Sequence, residues 1–202
     1  KNVDFGDPVG EVTLYPVGHP EPVTLSMSIP GVQTVTNYGC LLPDHLNGLY
    51  KTLVDFGLTR KEPIAFNNDK IPPLDFLLAF FKYKQETNPS YFSIGEKPMG
   101  ASRIEVIGEK NGEKAVYTFT KAGHYSMANS TSLPTGVAAE LMLKGEITAT
   151  GVITPECIDP KKVLPPLKTT KFFQDAKTFL LEQKIGNKTS STQLFESEFF
   201  SN

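Results

Sequence analysis

Near the start of the chain, apolar and polar side chains alternate. Val12 and Leu14 alternate with Thr13 and Tyr15, and Val23, Leu25 and Met27 with Thr24 and Ser26, so both stretches predict β-strands. Pro16, Pro20 and Pro22 fall between them, which predicts a stiff extended loop rather than a helix. Pro30-Gly31 predicts a turn, and the β-branched residues after it predict a third strand over 32–38. The period then becomes helical. Asp44 is a candidate N-cap, Leu46, Leu49, Tyr50, Leu53 and Phe56 form an apolar stripe, and Gly57 supplies a stop. A second helix is predicted from Pro72-Pro73, with Phe76, Leu77, Phe80 and Phe81 on one face, followed by a loop from Lys84 to Met99.

In the second half, Asn111-Gly112 separates two β-rich runs, 103–107 and 115–119, and predicts a tight hairpin. Thr131 and Ser132 precede Pro134, Val137, Ala138, Leu141 and Met142, with Gly145 beyond. This predicts a helix capped by the two hydroxyl residues and ended by the glycine. A short strand is expected over 148–153. After Pro160, Pro165 and Pro166, a last helix is expected to carry Phe172, Phe173, Ala176, Phe179 and Leu180 and to stop near Gly186, leaving 187–202 as a polar tail. Strands in meander order, one hairpin and helices among them predict an α+β domain over 1–186, with a mixed or antiparallel sheet and helices packed on it. Neither G-x-G-x-x-G nor G-x-x-x-x-G-K-[ST] occurs, so both nucleotide-phosphate fingerprints are missing from the sequence.

Composition narrows the function classes. The 202 residues carry a formal charge of −2, which gives no electrostatic reason to expect nucleic acid or an anionic membrane as partner. No apolar run approaches the roughly 18 residues of a membrane span. Cys40 and Cys157 match no metal-ligand spacing and read as free thiols, which suits a reducing, cytoplasmic setting. The opening Lys1-Asn2-Val3-Asp4 has neither an initiator Met nor a signal pattern, and is expected to lie inside a longer protein. Asn129-Ser-Thr and Asn187-Lys-Thr match the glycosylation sequon; without a secretion signal both read as chance.

Four segments, in order, resemble saccharopine-dehydrogenase-like oxidoreductases. His19-Pro-Glu-Pro-Val-Thr-Leu25 is similar to an H-P-E-P-x-T-[LI] loop, and Pro30-Gly-Val-Gln-Thr-Val-Thr36 to the P-G-V strand after it. Leu53-Val-Asp-Phe-Gly-Leu58 followed by Glu62-Pro63 resembles an L-x-x-x-G-L…E-P helix end. Thr135-Gly-Val-Ala-Ala-Glu-Leu-Met-Leu-Lys-Gly-Glu-Ile-Thr-Ala-Thr-Gly-Val-Ile-Thr-Pro-Glu156 resembles a T-G-x-x-A-A helix running into G-x-I-x-x-x-G-V-x-x-P-E. The resemblance implies an NAD(P)-dependent oxidoreductase acting on the C–N bond of an amino acid or amino-acid conjugate such as saccharopine, lysine or a carboxylated polyamine. It implies a Rossmann domain of the same polypeptide that holds NAD or NADP. The second domain would be shaped like the C-terminal domain of glyceraldehyde-3-phosphate dehydrogenase, bind the amino-acid-type substrate and form a homodimer. This chain reads as that second domain, with no cofactor-binding residues or metal ligands of its own, and inactive alone.

Such chemistry needs a positioned substrate, neutralised carboxylates and a group that moves the amine proton. His19, in the proline-stiffened loop, is a candidate for proton exchange, with Glu21 beside it on the substrate; alternatively the loop only turns a corner. His124 is the second candidate acid or base, with Tyr125 as a substrate contact, unless the two form a packing pair. Arg103 is a candidate carboxylate ligand or a solvated strand end. Thr131 and Ser132 cap a helix whose free N–H groups would also attract a carboxylate. Arg60 after a helix stop, His45 near an N-cap and the phenylalanine stripe from Phe76 to Phe81 read as structural. Two other functions stay open: a non-catalytic amino-acid-binding module, and an assembly module built for subunit contact.

Overall fold

A computed structural model describes residues 1–93, 97–170 and 176–194. They form two compact units, Lys1–Gly39 with Met99–Asn202, and Cys40–Pro98. The first unit is built on a four-stranded antiparallel sheet. Strands β7 (Gly100–Lys110) and β8 (Glu113–Gly123) form the expected hairpin. Asn111 and Gly112 both take positive φ, 55° and 80°, as a two-residue turn matching the strand twist requires. Strand β9 (Ala176–Ile185) lies on the other side of β8, and β10 (Lys188–Gln193) pairs with β9 through a turn at Gly186.

Helices α4 (Met127–Leu143) and α5 (Pro160–Lys168) cover one face of this sheet. Val137 and Leu141 from α4, Leu167 from α5, Phe179 and Leu181 from β9, and Leu194 form the core, flanked by Tyr117, Phe119, Ile147 and Val163. α4 ends in a Schellman motif. Gly145 takes φ 72°, its N–H donates to the Met142 carbonyl, and the Glu146 N–H donates to that of Leu141. Around the sheet stand the small hairpin of β1 (Asn2–Asp4) and β2 (Glu11–Thr13), helix α1 (Glu21–Ser28), and a pairing of β3 (Tyr15–Pro16) with β4 (Tyr38–Gly39).

The second unit holds α2 (His45–Asp55), the hairpin of β5 (Ile64–Phe66) and β6 (Asp69–Ile71), α3 (Pro73–Thr87), and a 3-10 turn over Pro89–Phe92. Its aromatic side chains run edge to face from Tyr50 through Phe81, Phe92 and Tyr91 to His45, and Leu46 and Leu77 are buried. Among the described residues, no helix is long and apolar enough to cross a membrane.

The α+β class is as expected, but several elements differ. Residues 21–28 form a helix, not a strand. The prolines before Val23 start it, because a first-turn residue needs no N–H partner, and Glu21 in that turn favours the helix dipole. Only Tyr38 of the expected third strand pairs with a neighbour, and 148–153 form no strand; β-branched residues there lack a partner edge. The loop expected from Lys84 begins after Thr87. The expected last helix is replaced by the short α5 and by β9. Phe179 and Leu181 face the core as alternate residues of a strand, and Gly186 is a hairpin turn rather than a helix stop. Phe172 and Phe173 lie outside the described residues. The polar tail expected from Asn187 begins as β10, and 195–202 lie outside the described residues.

Leu181 is 1% exposed at the centre of the covered sheet face. Leu181→Ala is expected to cost about 2–5 kcal/mol of stability, read as a lower urea midpoint in the transition of the first unit.

Candidate functional site

The segment from His19 to Ser28 enters and forms α1, and polar side chains gather along it. His19 Nδ1 and the Glu21 carboxylate are in contact, and Asn37 Nδ2 donates to the same carboxylate oxygen at 3.3 Å. Burial by itself would raise the Glu21 carboxyl. The hydrogen bond and charge of His19, the Glu21 backbone and Asn37 outweigh it and hold the group below its ordinary value. One turn on, Thr24 Oγ1 donates to Glu156 Oε1 at 2.6 Å. Glu156 lies in a 3-10 turn, Pro155–Cys157, that packs on α1. Its carboxyl is lowered by hydrogen bonds from Thr24 and then Thr154, while its other oxygen is buried. Ser28 and Thr154 share a hydrogen bond at 3.1 Å, and the Cys157 thiol lies within 3.6 Å of Thr154 Oγ1 and 3.8 Å of Ser28 Oγ. Those hydroxyls stabilise the thiolate, and the Cys157 pKa is lowered.

A second group forms where β8 runs into α4. Lys121 is 6% exposed, on the sheet face that also carries Phe119 and, across the β8–β9 ladder, Phe179. Its ammonium sits 3.8 Å from the centre of the Tyr125 ring. Burial lowers the Lys121 pKa to about 7, and burial also pushes the Tyr125 phenol up to about 12 against a hydrogen bond with Ser102. Gly100 makes room for this ring, since a Cβ there would stand 2.9 Å from Tyr125 Cε2. His124, between them in sequence, has a buried Nδ1 with no hydrogen-bond partner among the described residues.

A model of the saccharopine dehydrogenase C-terminal domain matches residues 9–171, most of the chain. The chain belongs to this family. The saccharopine dehydrogenase C-terminal domain seen here is 25% identical over 171 residues to carboxyaminopropylagmatine dehydrogenase of Synechocystis sp.. That match covers 79% of this chain but only 41% of the relative, so the chain spans about two fifths of that protein's length. The Thr24–Glu156 hydrogen bond joins two of the segments on which the family resemblance rests, and it does so across 132 positions of sequence.

Within this domain the candidate residues divide. The structure brings His19 and Glu21 into direct contact, and places Tyr125, the residue after His124, beside Lys121. Arg103 is elsewhere. It pairs with Thr120, so it lies on the sheet face opposite Ser102 and Lys121. Its Nε donates to Thr120 Oγ1 at 3.0 Å and its Nη2 to the Asp4 carbonyl at 2.6 Å, with the guanidinium over the Phe5 ring. Arg103 thus fastens the β1–β2 hairpin to the sheet. Thr131 and Ser132 do not cap α4, which begins at Met127 under Ser126, whose Oγ accepts from the Asn129 N–H at 3.2 Å. The open N–H groups belong to that first turn, and the two residues lie in the second, where Thr131 gives its carbonyl to Thr135 Oγ1. Pro134 marks the helix interior rather than its start. Concavities of about 330 Å³ between α4 and α5 and about 450 Å³ at the hairpin ends include none of these candidates.

Lys121, Thr24, Glu156 and Cys157 were not singled out by residue type. For Lys121 a signal existed: Tyr117, Phe119 and Lys121 are alternate residues of one strand, so the same period that buries the aromatics buries the lysine. For Thr24 and Glu156 only the family segments gave a hint.

A lysine whose folded pKa lies below its ordinary value of 10.5 binds fewer protons folded than unfolded between about pH 7 and that value. The cost of burying the ammonium is therefore full below pH 7 and is relieved as pH rises. Relative to Lys121→Met, the natural protein is expected to gain roughly 2–4 kcal/mol of stability between pH 7 and pH 10 in urea titrations. A pH-independent difference would show that the amine is not held down.

Proposed function

We propose that the chain is the substrate-binding and dimerising portion of an NAD(P)-dependent oxidoreductase that acts on the C–N bond of an amino acid or amino-acid conjugate of the saccharopine or lysine type. The observation that carries this reading is the meeting of the two family segments at the Thr24–Glu156 bond, with His19, Glu21 and Asn37 arrayed one turn away. The relative's name, a dehydrogenase of a carboxyaminopropyl amine, supports the same substrate chemistry.

A nicotinamide dinucleotide would supply the hydride acceptor or donor. The residues present do not fit its phosphates: every strand pairing among the described residues is antiparallel, and the sequence has no glycine-rich βαβ fingerprint. In this proposal a Rossmann domain of the same polypeptide holds the cofactor, and this chain alone does not turn over. Its own residues bind and orient substrate. Glu21, fixed by Asn37, orients the half-exposed His19 ring through Nδ1, leaving Nε2 to take or give a proton. His124 and Tyr125 are assigned to a second polar group that contacts substrate, with Lys121 buried behind Tyr125. Arg103, Thr131 and Ser132 are assigned to the scaffold.

Two measurements test this. Saccharopine or a related amino-acid conjugate at millimolar concentration is expected to raise the Tm of the chain, as any ligand that prefers the folded state does. No shift with any amino-acid conjugate would count against a substrate-binding role. In the polypeptide that includes the nucleotide-binding portion, His19→Ala is expected to lower kcat/KM more than tenfold without changing Tm, because the ring is half exposed and packs little. An unchanged kcat/KM would remove His19 from the reaction.

A further inference from the structure

Asn-Gly occurs twice in the sequence, at Asn47-Gly48 and at Asn111-Gly112, and the fold sets the two pairs in opposite circumstances. An asparagine before a glycine is open to a reaction of its own. The backbone nitrogen of the glycine attacks the carboxamide carbon of the asparagine, and with no Cβ on the glycine little obstructs the approach. The reaction needs the carboxamide and that nitrogen to be free to meet.

At the first pair they are held apart. Asn47 lies in the first turn of α2. Its Nδ2 donates to the Leu41 and Asp44 carbonyls, both at 2.9 Å, and its Oδ1 accepts from the Leu41 N–H at 2.7 Å. Ring closure there would break these bonds and unwind the start of the helix. The second pair carries no such restraint. Asn111 and Gly112 are the two turn residues between β7 and β8, both exposed and both at positive φ. Neither the Asn111 carboxamide nor the Gly112 N–H has a hydrogen-bond partner among the described residues. Opening the tip disturbs only the terminal Lys110–Glu113 pair, so it rearranges at little cost. Asn111 also borders the concavity at the hairpin ends, where water enters.

We propose that Asn111 is a self-modifying site, converted in the folded protein to aspartate and isoaspartate, and that the fold protects Asn47 from the same change. In the first step the Gly112 nitrogen gives its proton to solvent and bonds to Asn111 Cγ. The Cγ–Nδ2 bond breaks, and the departing nitrogen takes up a proton and leaves as ammonia. Water then adds to one of the two carbonyls of the cyclic imide and opens the ring. Opening at Cγ restores the main chain with an aspartate; opening at the α-carbonyl gives isoaspartate. Nothing is oxidised or reduced, and water is the sole co-reactant. Isoaspartate routes the main chain through Cβ and Cγ. A two-residue turn has no place for the added atom unless it gives up the Lys110–Glu113 pair.

This inference is independent of the proposed function. The 202-residue chain, kept folded at mildly alkaline pH, is expected to convert at Asn111 at least about tenfold faster than at Asn47. Peptide mapping, with fragmentation that separates aspartate from isoaspartate, reads both sites. In concentrated urea the two are expected to react at similar rates, because the difference belongs to the fold. Asn111→Asp, which tolerates the positive φ, is expected to remove most of the ammonia that the folded chain releases. Equal conversion at the two sites in the folded chain, a faster Asn47, or an Asn111 that stays intact when folded yet reacts in urea would overturn the proposal. So would a difference that persists unchanged in urea, or undiminished ammonia release from Asn111→Asp.

Discussion

Burial of one sheet face under two helices is the constraint from which the first unit is built. Val137, Leu141 and Leu167 press on Phe179 and Leu181, and the strands can twist only as that layer allows. Side chains beneath that layer are thereby taken out of water, including Lys121, which resists it. Lys121 occupies a strand position whose neighbours on either side are core residues, and its amine is driven toward neutrality. Tyr125 turns its ring onto the amine, and the ring fits because residue 100 has no side chain. The polar group at the β8–α4 junction is thus a product of the packing.

The opposite face has a different logic. There Arg103 spends its hydrogen bonds on the strand beside it and on the N-terminal hairpin, which makes it a fastener. Residues adjacent in sequence, Ser102 and Arg103, serve different faces because a strand alternates. This separation divides the polar residues of the unit by layer: one set under the helices, one under the hairpin, and a third along α1 where His19, Glu21, Thr24 and Glu156 meet.

Much of this was legible in the residues. The Asn111-Gly112 hairpin, the helices after Asp44 and Pro72, and the glycine stop at Gly145 follow from local chemistry, and local chemistry sufficed for them. The failures share a cause. Val23 to Met27 alternate like a strand, yet prolines at the helix start make them helical; Phe179 and Leu180 look helical in a phenylalanine-rich run, yet an open edge of β8 claims them as a strand. In the first case the prolines ahead of the alternating run decided, and in the second a strand edge distant in sequence; periodicity sees neither. The site followed the same rule. His19 and Glu21 were found because they are two residues apart, whereas Thr24 and Glu156 become a pair only in three dimensions.

That last pair has a consequence for how the protein is made. A chain leaving the ribosome exposes α1 well before the acceptor for Thr24, which is 132 residues downstream. Until Glu156 has emerged, the helix has no turn to rest on and only its own weak hydrogen bonds to hold it. The His19 end of this domain therefore matures only after Glu156 has followed it, and a nascent chain halted before Pro155 carries the histidine without the platform that orders it.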